Sequence, residues 1–481
     1  MRRLKLPRRL TPRPRLFNMS PFDTIAAVST PPGKGGVAVI RITGSEALKV
    51  IDRIFISAGG RRLSECKPRM QVYGYILDGD ERVDDVLCTR FDAPRSYTGE
   101  DTVEIYCHGG ILVTKTVLEL ALVAGARPAE AGEFTRRAFI GGRLSLTEAE
   151  AISDLLEATG REQLRLGATD ARCALSKRIS SLRSTLTALI SSSLARIDYP
   201  DEDLGDFTDG EMLEGIFALL SSVDSLLATY RTGRAISEGI KAALVGKPNA
   251  GKSSIYNLLV GEDAAIVTDI PGTTRDLLES RVELGRVTLR LFDTAGIREE
   301  NSADAVERIG IAKSREKIEK CELLFAIFDS SRPLDEDDRI ILDRIKSSGA
   351  TAVALLNKRD LEAELDPSLL SGYGFAEVLS VSATERERTL GLISEAVSRL
   401  FTDGTIRVGV DPVISSARQY ASLLKARESL SYAQESLSAG FPQDAVSTDL
   451  ERALGAISEL DGRAVSEEVV TDIFSKFCVG K

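Results

Sequence analysis

The sequence predicts a multidomain chain of α/β and all-α parts: an N-terminal α+β domain, a discontinuous helical domain, and a P-loop α/β domain inserted between its two pieces. Three observations carry this. Short strand-like runs separated by turns fill residues 19 to about 136. Leucines at helical spacing take over from about 144 to 235, and helices return after about 412. Between the helical stretches lies Gly246-Lys247-Pro248-Asn249-Ala250-Gly251-Lys252-Ser253, with the G-x-x-x-x-G-K-[ST] spacing of a phosphate-binding loop.

Taken in order, residues 1–18 carry seven basic side chains and no acid. A transit peptide, an RNA-binding arm and an upstream translation start all fit that composition. Met19-Ser20-Pro21-Phe22-Asp23 reads as a natural beginning, so the expectation is a disordered, dispensable extension. Residues 19–138 form the first domain, with strands at Val37–Ile42, Met70–Leu77, Val83–Phe91 and Thr102–Tyr106 and a helix from Leu112 to Val123. Residues 139–235 are the first helical piece, with pairs such as Leu155/Leu156 and the series Leu182, Leu186, Leu189. Residues 236–401 are the inserted domain, whose ends should lie close together. Residues 402–481 are the second helical piece, where Leu450, Leu454, Ile457 and Leu460 share one face and pack a core.

Composition excludes several function classes. With 43% hydrophobic residues the chain can build real cores, and no run approaches the roughly 18 apolar residues of a membrane span. The six cysteines are scattered without a C-x-x-C pair, which suggests reduced thiols in a cytoplasmic protein. His108 is the only histidine, which removes Ser-His and Cys-His triads and polyhistidine metal sites. A net charge of −10 does not suit a general nucleic-acid binder, so an RNA contact needs a local basic patch.

The inserted domain carries the chemistry. An apolar run, Ala242 to Val245, leads into the phosphate loop, and Ser254 to Leu259 leads out as a helix. Glycine-rich backbone turns N–H groups onto phosphates, and the helix N-terminus adds partial positive charge. Lys252 reaches the β- and γ-phosphates, and the Ser253 hydroxyl can hold Mg²⁺. Thr268-Asp269-Ile270-Pro271-Gly272-Thr273-Thr274 follows, in which Thr274 can complete the Mg²⁺ shell and sense the γ-phosphate. The strand Thr288–Phe292 ends in Asp293-Thr294-Ala295-Gly296, where Asp293 supports the magnesium shell and the Gly296 N–H can touch the γ-phosphate. The strand Ala352–Leu356 runs into Asn357-Lys358-Arg359-Asp360, an N-K-x-D element. The Asp360 carboxylate can accept from N1–H and the 2-amino group of guanine, which adenine cannot supply. Ser382-Ala383-Thr384 offers a backbone contact for guanine O6. These segments together predict a GTPase. Ile297 stands where Ras-like enzymes place a water-orienting glutamine, so another group must assist hydrolysis, and Glu307 is a candidate.

Outside that domain the chain resembles the MnmE (TrmE) family of tRNA-modifying GTPases, within the TrmE-Era-EngA-like GTPases. The residues that carry the resemblance are the terminal Phe477-Cys478-Val479-Gly480-Lys481, Asp23 to Ala27, Thr30 to Gly36, Tyr97 to Asp101, His108-Gly109-Gly110, Gly132 to Phe139 and Asp198 to Glu202. It covers residues 19 to 481. It implies an N-terminal folate-binding, dimerising domain, a helical domain and a Ras-like G domain. It implies K⁺-stimulated GTP hydrolysis in a homodimer that joins the flavoprotein MnmG in a heterotetramer. Together they place an aminomethyl or carboxymethylaminomethyl group on C5 of the wobble uridine, U34, of certain tRNAs. 5-Formyltetrahydrofolate or a related tetrahydrofolate supplies the one-carbon unit.

By the same resemblance, Asn249 and the loop residues Thr268, Ile270 and Thr273 ligate K⁺, and Glu307 positions water. Arg41, Glu104, Arg143 and Lys481 contact folate, with Arg143 standing where lysine is expected. Cys478 is open to a nucleophilic role or a structural one, since no histidine lies near it in sequence to activate it. A ribosome-assembly regulatory GTPase is the competing reading. Such proteins carry an RNA-binding module, and the flanks here lack a G-x-x-G loop in a basic setting.

Overall fold

The computed structural model describes residues 23–198, 208–261, 279–292 and 321–480. They fall in two compact units, one reaching to Ser145 and resuming at Ser466, the other spanning Leu146–Val465.

The first unit is built on a seven-stranded sheet. Its strands are β1 (Ile25–Val28), β2 (Val37–Thr43), β3 (Phe55–Ser57), β4 (Val72–Asp78), β5 (Glu81–Phe91), β6 (Thr102–His108) and the two-residue β7 (Arg127–Pro128). Their order is β3-β4-β5-β6-β2-β1-β7, antiparallel except at β1–β7. Helices α1 (Ala47–Ile54) and α2 (Ile111–Val123) share a core with one face, where Ile40, Ile42, Ile51, Ile76, Val103, Ile105 and Val117 are buried. Alternation along β2 then sends Arg41 to the opposite face. There Ile25, Ala27, Ala129 and Phe134 make a smaller core with α3 (Glu133–Ile140). Arg127 and Arg137 enclose the buried Glu133, and both also pair with Asp23.

The last residues of the chain belong to this unit. A helix at Glu467–Ser475 packs Phe474 against Phe139 and Phe477, with ring centroids 6.0 and 5.4 Å apart. Val479 bridges Ala131, and the Ser29 hydroxyl donates to the Gly480 carbonyl at 3.1 Å. The sequence reading joined these residues to the preceding helices. In the structure they group with the first unit, where Phe474 and Phe477 pack beside Phe139 and Gly132.

The second unit combines a helical bundle with an inserted sheet. The bundle begins with α4 (Leu146–Glu157), α5 (Arg161–Leu166), α6 (Thr169–Asp198) and α7 (Asp209–Ser237). Thr208 caps α7 by accepting from the Glu211 N–H at 3.2 Å. Among the described residues α7 is the one helix long and apolar enough, by length and composition, to cross a membrane, although no such run stood out in sequence. Its Met212, Ile216, Leu219, Val223 and Leu226 are buried in the bundle core.

The inserted part follows: β8 (Ile240–Gly246), α8 (Lys252–Val260), β9 (Glu279–Leu284), β10 (Val287–Phe292), β11 (Leu323–Asp329), α9 (Glu336–Ser348), β12 (Thr351–Asn357), β13 (Glu377–Ser380) and α10 (Arg386–Phe401). The sheet order is β13-β12-β11-β8-β10-β9, parallel except for the β9–β10 hairpin. The central β11 is buried along its whole length, as a strand covered on both faces must be. The chain returns to the bundle through α11 (Ala417–Ser438) and α12 (Gln443–Asp461). The two ends of the insertion meet, since the Asp403 N–H donates to Thr232 Oγ1 at 2.8 Å and the Ile414 N–H to Thr229 Oγ1 at 3.1 Å.

Candidate functional site

The C-terminal ends of β8 and β12 open on one cleft of about 470 Å³ in the inserted sheet. It lies where open α/β sheets bind ligands, outside the carboxyl ends of the strands. Asn249, Gly251, Lys252, Ser253 and Ser254 line it from the loop and first turn of α8. Asn357, Lys358, Asp360, Leu361, Ser382, Ala383 and Thr384 line it from the other side. The phosphate-loop and N-K-x-D residues, about a hundred positions apart in sequence, therefore share one cavity.

Local geometry explains the residue types. Gly251 caps α8 at φ +100°, and a Cβ there would collide with Asn357 Nδ2. Asn249 and Lys358 also adopt left-handed backbone, at φ +65° and +66°. Buried Asn357 ties the two halves together: its Nδ2 donates to the Ala250 carbonyl at 3.0 Å and its Oδ1 accepts from the Ala383 N–H at 3.2 Å. Lys252 Nζ donates to the carbonyls of Gly246 and Lys247 at 2.9 and 2.7 Å. Burial lowers its pKa, and an anion bound in the cleft would favour the charged form again. Asp360 accepts from the Ser382 hydroxyl, and that hydrogen bond holds its carboxyl below the ordinary range. It is therefore an ionised acceptor at neutral pH, with lone pairs left for two N–H donors.

Ser253 and Asn249 put a hydroxyl and an amide oxygen into the same cleft, the hard donors that Mg²⁺ and K⁺ take. The other expected nucleotide and metal residues lie outside the described residues: Thr268, Asp269, Ile270, Pro271, Gly272, Thr273, Thr274, Asp293, Thr294, Ala295, Gly296 and Glu307, together with Ile297.

The sequence reading named Lys358 but missed Lys247 and the aspartates that pair with the two lysines. Lys247 pairs with Asp335 and Asp338 at the start of α9, and Lys358 pairs with Asp329 at the end of β11. One signal was present, an aspartate ending an all-apolar strand at the ligand-binding edge of a parallel sheet.

A second polar site lies in the first unit. Arg41 and Glu104 are register partners on β2 and β6, and Glu104 Oε1 accepts from Arg41 Nε and Nη2 at 3.0 and 2.9 Å. The guanidinium lies 5.5 Å from the Tyr97 ring centroid and 5.6 Å from that of Phe134. The Tyr106 hydroxyl donates to Glu104 Oε2 at 2.6 Å, and burial, with Glu104 beside it, pushes its pKa up to about 12. Arg143 packs by Gly99, two residues along the same loop from Tyr97. Cys478 is exposed, and its carbonyl accepts from the Gly132 N–H at 3.4 Å. Lys481 lies outside the described residues, one position beyond the anchored Gly480. Strand register, which sequence does not display, is what brings Arg41 to Glu104.

Comparison with known proteins places this geometry. A family profile described as "MnmE helical domain" matches residues 146–478, and one described as "GTP-binding protein TrmE N-terminus" matches residues 24–143. The tRNA modification GTPase MnmE of Clostridioides difficile is 38% identical over 460 residues, 95% of this chain and 99% of that protein. The protein of the same name from Lactiplantibacillus plantarum is 39% identical over 96% of this chain and 99% of its own. Among solved structures, the G domain of the T. maritima FeoB iron transporter matches 33% of this chain and 97% of its own, at 23% identity and a TM-score of 0.26. With relatives this similar along nearly its whole length, the chain belongs to the MnmE family of tRNA modification GTPases.

Proposed function

We propose that this chain hydrolyses GTP with K⁺ stimulation and, as a homodimer assembled with the flavoprotein MnmG, modifies C5 of the wobble uridine of certain tRNAs in the cytoplasm. The observation that carries the reading is the single cleft in which the phosphate loop and the N-K-x-D element meet, stitched by Asn357. In it Asp360 reads the guanine edge, Lys252 and the N-terminus of α8 take the phosphates, and Ala383 offers its backbone to the base. Ser253, with Thr274, would hold Mg²⁺, and Asn249, with Thr268, Ile270 and Thr273, would hold K⁺. These ions supply positive charge to the phosphate oxygens when bound. Glu307 would orient water, since Ile297 cannot.

The Arg41–Glu104 pair, flanked by Tyr97 and Phe134, offers charge and hydrogen bonds beside two aromatic rings. That suits a flat heterocycle with polar edges, the pterin of a tetrahydrofolate such as 5-formyltetrahydrofolate. Arg143 and Lys481 would add cationic contacts. The test is mass spectrometry of wobble uridine in tRNA from cells with and without this protein, alongside GTP hydrolysis by the full chain. Unchanged U34 modification in the deletion strain would sink the reading.

A further inference from the structure

We infer that Asp329 is a positioning residue for nucleotide recognition, acting through Lys358. The proposal rests on the GTP-binding reading of the cleft and adds to it a residue outside the nucleotide motifs.

Asp329 ends β11 and is buried. Both carboxylate oxygens are engaged. Oδ1 accepts from the Ser331 N–H at 3.1 Å and the Ser331 hydroxyl at 2.7 Å. Oδ2 accepts from Lys358 Nζ at 2.7 Å. Ser331 thus fixes the carboxylate, and the carboxylate fixes the ammonium. Lys358 needs such an anchor. Its backbone sits at φ +66°, a conformation that costs a side chain with a Cβ free energy unless its surroundings hold it. Its side chain lines the cleft with Asp360 and Leu361. A lysine has an apolar four-carbon stem and a charged head, and the two can serve different surfaces. With the head tied to Asp329, the stem stays against the cleft, where it offers apolar cover to the face of a purine whose edge meets Asp360.

The anchor also reaches the phosphate loop. Arg332 lies 3.7 Å from Asp329 Oδ2 and 3.9 Å from Asp335 Oδ2. Asp335 pairs with Lys247, which also stands 3.4 Å from Asp338. Charges of alternating sign therefore run from Lys358 to the loop that takes the phosphates.

The test uses the full chain and titration with fluorescent GDP, with GTP turnover measured in parallel. Asp329→Asn keeps the shape and the Ser331 contacts but discards the charge that holds Lys358. The expected result is a rise of about tenfold in the Kd for GDP and in KM for GTP, the scale of one charge-assisted hydrogen bond, with kcat changing less than twofold. Asp329→Glu should recover part of the affinity. Adding Asp329→Asn to Lys358→Met should weaken binding no further than Lys358→Met alone. Unchanged GDP affinity in Asp329→Asn would overturn the proposal, as would losses that add in the double variant, since Asp329 would then act without Lys358. A wild-type chain that fails to bind GDP would instead overturn the GTP-binding reading beneath it.

Discussion

Replacing Asn357 by alanine should uncouple the two halves of the nucleotide cleft. The side chain is 2% exposed and makes two hydrogen bonds, one to the Ala250 carbonyl and one from the Ala383 N–H. Truncation strands both backbone groups, and a buried polar group left unsatisfied costs about 1–3 kcal/mol. Water can rescue the Ala383 side, which is only half-buried, so the combined loss should be about 3 kcal/mol. The loss falls on the arrangement that binds nucleotide, and this energy corresponds to roughly a hundredfold in Kd. The assay is thermal unfolding of the full chain with and without GDP. At a GDP concentration of about 100 times the wild-type Kd, ligand stabilises the native state by about 2.7 kcal/mol; a variant binding a hundredfold more weakly gains only about 0.4 kcal/mol. A variant whose GDP-induced shift in midpoint matches wild type would refute the stitching role.

Asp360→Asn should turn nucleotide preference from guanine toward xanthine, because the amide can donate to the 2-oxo group where the carboxylate could only accept; retained GTP preference in competition binding would contradict the assignment of the base pocket. Replacing K⁺ by Na⁺ at equal ionic strength should lower kcat for GTP clearly, and equal rates in both salts would remove Asn249 as a K⁺ ligand. Burial, with Glu150, Glu157 and Glu238 nearby, raises the Asp154 pKa to about 6, although the Ser237 hydroxyl donates to it at 2.9 Å. A raised carboxyl pKa means stability that is full below about pH 4 and lost as pH rises through 6, so Asp154→Asn should stabilise the chain by about 1–2 kcal/mol at pH 7.5 and by little at pH 4, read from denaturant midpoints. Gly480→Ala places a Cβ against the Val28 carbonyl at φ +98°, and it should cut wobble-uridine modification at least tenfold while GTP turnover persists; unchanged modification would free the C-terminus from any part in the reaction.

How far the site was legible follows from what its chemistry demands. A phosphate loop needs glycines at set spacing, a lysine and a hydroxyl, so Gly246 to Ser253 announced itself within eight residues. Guanine recognition likewise compresses into Asn357 to Asp360. Both are local in the chain, and local patterns survive in a sequence. Arg41 and Glu104 do not work that way. They lie 63 positions apart, and only the β2–β6 register puts them side by side, so their own residues read as an exposed strand position and a surface carboxylate. Asp329 and Lys247 were passed over for a similar reason. Each sits at the end of an element, and its partner belongs to another strand–helix connection. The secondary structure shows the same division. Helix α2 and strands β4, β5 and β6 were visible as runs, whereas β3 and β7, with three and two residues, were too short to stand out.

The C-terminal segment shows how a distant contact can be favourable in this fold. Ser29 and Gly480 meet across 451 residues of sequence. Closing an unstructured loop of that length would cost on the order of 5 kcal/mol in chain entropy. Phe474 and Phe477 are 1% and 5% exposed, and burying two such rings contributes about 3–6 kcal/mol before the ordering of the segment is counted. The two terms nearly cancel, so the tail has little reason to dock while the intervening chain is unfolded. Once Leu146–Val465 has folded, the effective loop is far shorter and the balance turns favourable. The docking of Cys478 on Gly132 and of Gly480 on Ser29 is therefore expected to follow the folding of the chain between them.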